Sequence, residues 1–83
     1  MTTVRIPPTL RPETGGAREV PAEGETVRDL LDDLMARFPD LTGKLEYANV
    51  YVDGEDVRTL DGEDTAVRQG ATVILLPAMA GGV

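Results

Sequence analysis

Thr26-Val27-Arg28-Asp29-Leu30-Leu31-Asp32-Asp33-Leu34-Met35-Ala36-Arg37-Phe38-Pro39 is the stretch on which the fold turns. Val27, Leu30, Leu31, Leu34, Met35 and Phe38 recur at i, i+3, i+4, i+7, i+8 and i+11, one apolar stripe along a helix. Arg28, Asp29, Asp32, Asp33 and Arg37 occupy the other faces. Thr26 offers a side-chain oxygen for the N-cap, and Asp29 three residues later gives a weak capping box. Acids near the start and Arg37 in the last turn complement the helix dipole. Pro39 disfavours helical geometry at Phe38 and stops the element. The spacing predicts a helix over 26–38 with a single face to bury.

Strands must supply the surface that this face packs against. Upstream, Thr3-Val4-Arg5-Ile6 alternates polar and apolar and ends at Pro7-Pro8. Thr14-Gly15-Gly16 is turn chemistry, and Ala17-Arg18-Glu19-Val20 reads as a returning strand closed by Pro21. The pair predicts a hairpin with a wide loop at 8–16. Downstream, Asn49-Val50-Tyr51-Val52 runs into the tight-turn dipeptide Asp53-Gly54, and Asp56-Val57-Arg58 reads as a short edge strand. Gly70 introduces a final apolar run, Thr72 to Leu76, which Pro77 ends.

One amphipathic helix among several strands predicts an α+β domain, a sheet covered on one face only. Val4, Ile6, Val50, Val52, Val73 and Leu75 would then point toward the helix and their neighbours toward water. Arg5 suits water; Tyr51, Ile74 and Leu76 do not. Scattered exposed apolar residues are ordinary, but adjoining ones mark a docking surface. Leu76, Ile74, Tyr51 and Arg5 are therefore the candidate partner-docking residues.

Eighty-three residues suffice for one small domain, here 1–77, followed by a tail at 78–83. Eight basic against fifteen acidic residues leave a net charge of −7, which argues against a nucleic-acid partner. It would also steer the chain toward basic docking surfaces. With no Cys and no His, thiolate catalysis, zinc sites and His-based acid/base chemistry are excluded, and an enzyme is not expected. No apolar run approaches the ~20 residues of a membrane span and no signal-peptide core opens the chain, so a cytoplasmic protein with no membrane partner is expected. Only 4% of residues are aromatic, so the core must be aliphatic. Asp53-Gly54-Glu55-Asp56 recurs as Asp61-Gly62-Glu63-Asp64, but neither copy has the ligand spacing of a calcium loop, and both read as solvated turns. Gly15-Gly16 and Thr42-Gly43-Lys44 lack phosphate-loop spacing. No catalytic residue, metal ligand or bound cofactor is assigned.

The ending, Ala78-Met79-Ala80-Gly81-Gly82-Val83, has no periodicity. Two glycines without Cβ atoms can pass through a narrow channel in a partner enzyme. From Pro77 through Gly82 the chain reaches at most about 20 Å, at ~3.3 Å per residue.

Three segments together resemble the ThiS/MoaD family of ubiquitin-like, β-grasp sulfur carriers. They are Asn49-Val50-Tyr51-Val52-Asp53-Gly54-Glu55, the strand Gly70 to Pro77, and Ala80-Gly81-Gly82. The opening from Val4 to Gly16 is similar to the actinobacterial cysteine-biosynthesis carriers of that family. The resemblance implies that an E1-like enzyme uses ATP to adenylate the carboxylate of Gly82, which then becomes a thiocarboxylate. It implies Gly81 as the small neighbour, Pro77, Ala78, Met79 and Ala80 as the threading segment, and Leu76 as the apolar contact to the activating enzyme. The partners implied are that enzyme and a sulfur-accepting synthase, PLP-dependent for cysteine or ThiG-like for thiazole, together with a metalloprotease that releases the product. Molybdopterin and thiosugar pathways use related carriers. The alternative is a ubiquitin-like modifier joined to lysines through the same glycine. The chain runs one residue past Gly82, so Val83 is expected to be trimmed before activation or to be foreign to the mature protein.

Overall fold

In the computed structural model, which describes residues 2–45 and 48–77, the helix α1 spans Val27–Arg37. Thr26 caps it, its hydroxyl accepting from the Asp29 backbone N–H at 3.2 Å. The Asp29 carboxylate returns one residue further than a capping box requires, accepting from Glu25 N–H at 3.3 Å. That tight entry needs Gly24, because a Cβ there would lie 2.5 Å from the Asp29 Cβ and 3.0 Å from helix backbone. Phe38, with φ −127° and ψ 79°, leaves helical geometry before Pro39.

The strands are β1 (Thr2–Arg5), β2 (Glu19–Ala22), β3 (Ala48–Val52), β4 (Glu55–Asp56) and β5 (Thr72–Pro77). They form a mixed sheet in the order β2-β1-β5-β3-β4. β1 runs antiparallel to β2 and parallel to β5, and β3 is antiparallel to both β5 and β4. The first and last strands meet at the centre because a parallel pair needs a crossover, which α1 and the segments after it provide. This is the β-grasp arrangement, as expected. Val20, Val4, Val73 and Val52 form one continuous row across four strands, all buried against α1. With Leu30, Leu34, Leu41 and Leu75, each at most 1% exposed, they make the aliphatic core that the composition requires.

Three local expectations need correction. The loop at 8–16 contains a 3-10 helix, Pro8–Thr14, which Gly15 ends at φ 69°. Pro21 lies inside β2 instead of closing it. Ile6 N–H bonds Arg18 O at 2.8 Å, so alternation turns the Pro21 nitrogen to the outer edge, where no N–H is needed. The edge strand after the Asp53-Gly54 turn stops at Asp56, because the Asp56 carboxylate accepts from Arg58 N–H at 2.8 Å and bends Val57–Thr59 into a 3-10 turn. The turn itself forms as read, with Asp53 at φ 50° and Gly54 at φ 89°. Asp53 also accepts from Thr72 N–H at 3.1 Å, joining the turn to the start of β5.

Candidate functional site

β5 lies between β1 and β3, and the chain beyond Pro77 continues from it. The sheet face opposite α1 carries the residues that alternate with the buried row along these strands. Strand register aligns Glu19, Arg5, Ile74, Tyr51 and Asp56 in one row across all five strands. Its centre is apolar, with half-buried Ile74 beside half-buried Tyr51. Its flanks are ion pairs: Arg5–Glu19 at 3.4 Å on one side and Arg58–Asp56 at 2.7 Å on the other. Such exposed pairs contribute little stability but define the edges of the patch. The hydrogen bonds from Arg58, side chain first and backbone second, hold the Asp56 carboxyl below its ordinary pKa. The same side-chain bond raises Arg58.

Leu76 opposes Asn49 in the next row, nearer the exit, and is 43% exposed, whereas its neighbour Leu75 is 1% exposed. The four docking residues read from alternation are thus brought to one face. Pro77 is the last residue of β5, paired with Ala48. Ala78, Met79, Ala80, Gly81, Gly82 and Val83 lie outside the described residues.

The sequence reading missed a groove of about 710 Å³ beside this row. Ile6, Pro7 and Pro8 from the chain after β1 line it together with Ile74, Leu75 and Leu76 of β5 and with Arg5, Arg11, Arg18 and Glu19. Arg11 Nε donates to Ile6 O at 3.2 Å, which fixes its guanidinium to the backbone after β1. One signal could have found it: residues 1–18 carry three arginines and one acid in an otherwise acidic chain.

The repeated acidic segments serve different local ends. The first forms the β3–β4 turn, while Glu63 and Asp64 of the second pair with Arg28 at 3.3 and 3.1 Å. Among the described residues no group of three or more acids could hold a metal ion, and no helix is long and apolar enough to cross a membrane.

A β-grasp sheet whose central last strand leads to a Gly-Gly ending defines a ubiquitin-like protein. The chain belongs to the ThiS family, whose pattern matches residues 4–82. The sulfur carrier protein CysO of Mycobacterium tuberculosis is 43% identical over 90 aligned positions, covering 96% of this chain and 97% of that one. Among solved structures, the BexX/CysO complex of Amycolatopsis orientalis contains a chain with TM-score 0.90 and 40% identity, covering 99% of this chain and 100% of that one. Small archaeal modifier protein 1 from Methanosarcina acetivorans has TM-score 0.84 and 26% identity, covering 98% and 95% of the two chains.

Proposed function

We propose that this chain is a sulfur carrier and a protein cosubstrate, activated at Gly82. The 43% identity to a sulfur carrier over nearly the full length carries the proposal. The position of the docking row, on the strand that leads to the chain end, supports it.

In this reading Val83 is removed and an E1-like enzyme joins the Gly82 carboxylate to the adenylyl group of ATP, releasing pyrophosphate. The step is necessary because a carboxylate is a poor electrophile. A sulfide-level donor then attacks the acyl carbon, AMP leaves, and a thiocarboxylate remains. That sulfur is a nucleophile for an activated substrate on an accepting synthase, and cysteine biosynthesis is the pathway we favour on similarity to CysO. A metalloprotease would then free the product and regenerate the carrier. The chain itself binds no cofactor in this scheme, since ATP belongs to the activating enzyme. That a CysO chain forms a complex with BexX supports a stable docking contact to a partner.

Intact mass tests the proposal directly. The full chain, and in parallel a chain ending at Gly82, is incubated with the E1-like enzyme and the metalloprotease of its own genome, ATP and sulfide. The expected species has lost about 99 Da for valine and gained about 16 Da for sulfur replacing oxygen. Sulfur on the species that retains Val83 refutes trimming, and no ATP-dependent gain on either species refutes the carrier role.

Similarity to an archaeal modifier protein favours a second reading, conjugation to lysines through the same glycine. Isopeptide adducts on cellular proteins, rather than sulfur in a small product, would establish it.

A further inference from the structure

Positive charge is scarce on this chain, with eight basic residues against fifteen acidic ones, and most of it is internally matched. Among the described residues, Arg5, Arg28, Arg37, Lys44 and Arg58 each pair with a carboxylate. Arg11, Arg18 and Arg68 do not. Two of these three, Arg11 and Arg18, share the groove beside the chain exit. The groove's own acid, Glu19, is already engaged by Arg5 at 3.4 Å. Arg11 is half-buried and tethered through Nε to Ile6 O, so the outer nitrogens of its fork are held ready while one nitrogen is used. Apart from the Arg5–Glu19 pair, the rest of the lining is apolar, Pro7, Ile74 and Leu76 included.

From this arrangement we propose that the groove receives an acidic, partly apolar segment of the partner protein that acts on the chain end. One carboxylate of the segment meets Arg11 and another meets Arg18, while an apolar side chain between them rests on Ile74 and Leu76. The identity of that partner rests on the carrier reading above; the chemistry of the groove does not. A nucleic acid fits poorly, because a polyanion would feel the whole −7 charge. A short acidic segment feels mainly the charges within a Debye length of about 8 Å. The net charge predicts basic partner surfaces in general, and the groove is a local exception that would fix orientation.

Two measurements test this. In the first, the ¹⁵N-labelled full chain is titrated with a blocked hexapeptide alternating acidic residues with leucine, and with its Gln/Asn counterpart. Backbone amide shifts should localise to Arg11, Arg18, Ile74 and Leu76 with the acidic peptide alone, and vanish in Arg11→Glu/Arg18→Glu. Dispersed shifts, or none at about 10 mM peptide, overturn the proposal, since a two-carboxylate contact should be visible in that range. In the second, the wild type and each variant are prepared ending at Gly82, and their adenylation by the E1-like enzyme is followed as pyrophosphate exchange. The double reversal should raise KM for the carrier by at least about tenfold with kcat unchanged. Arg68→Glu, outside the groove, should leave both unchanged. Arg11→Gln/Arg18→Gln, which keeps a donor near Ile6 O, guards against misfolding and should show a smaller KM rise. An unchanged KM in both double variants overturns the proposal. Failure of the wild-type chain to be adenylated refutes the carrier reading, and the peptide titration still decides the groove.

Discussion

Asp56 shows how one side chain can both shape the fold and edge the open-face row. Its carboxylate accepts from Arg58 N–H at 2.8 Å and from the Arg58 guanidinium at 2.7 Å, so Val57–Thr59 turns away from the sheet. Both bonds favour the ionised form, which is why the carboxyl titrates below its ordinary range. The sign of the linkage follows. A group whose pKa is lower in the folded state adds stability that is present above the ordinary carboxylate pKa and is lost as pH falls through the lowered value. A carboxylate NMR titration should therefore place Asp56 below the ordinary aspartate value. Arg58→Ala, which removes the side-chain bonds and keeps the backbone N–H, should move it part of the way back. An Asp56 that titrates unchanged in Arg58→Ala would show that the guanidinium bonds do not set it.

At the scale of elements, the contrast between α1 and the sheet edges explains what could be read in advance. The helix is specified by neighbours in sequence: Thr26 and Asp29 at one end, Pro39 at the other, and an apolar stripe between them. Pro21 stays inside β2 because a proline ends a strand only where its nitrogen faces a partner, and that depends on register across the sheet, which sequence neighbours do not set. The outer edge of β2 is then closed by α1. Arg37 donates to Pro21 O and Asp33 accepts from Glu23 N–H at 2.9 Å. Proline and capped polar groups leave little for a second strand to pair with. Pro21→Thr combined with Arg37→Ala restores an N–H and frees a carbonyl on the same edge. That double variant should gain concentration-dependent self-association over the parent in sedimentation velocity. Unchanged sedimentation at all concentrations would mean that the edge is guarded by something else.

At the scale of the whole molecule, the open-face row was readable and the groove was not, for one physical reason. Two-residue periodicity assigns Arg5, Tyr51, Ile74 and Leu76 to a face without knowledge of strand order. The groove joins a 3-10 segment near the start of the chain to the last strand, a juxtaposition made only by the parallel β1–β5 pair. The same topology separates stability from recognition in two adjacent leucines. Leu75 is 1% exposed in the common core, so Leu75→Ala should cost about 2–5 kcal/mol, the range for buried leucine truncation. Against the about 5–15 kcal/mol that a native domain commands, this is a large loss, visible as a lower urea midpoint. Leu76 is 43% exposed beside the exit, and Leu76→Ala should stay within about 0.5 kcal/mol of the parent. Its effect should fall instead on the carrier's KM with the activating enzyme, because truncating an exposed apolar anchor removes partner contact while the fold survives. If Leu76→Ala lowers the urea midpoint as far as Leu75→Ala does, Leu76 belongs to the core and the open face is not the docking surface. If both variants leave KM unchanged once folded protein is compared, the partner approaches the chain end from another side.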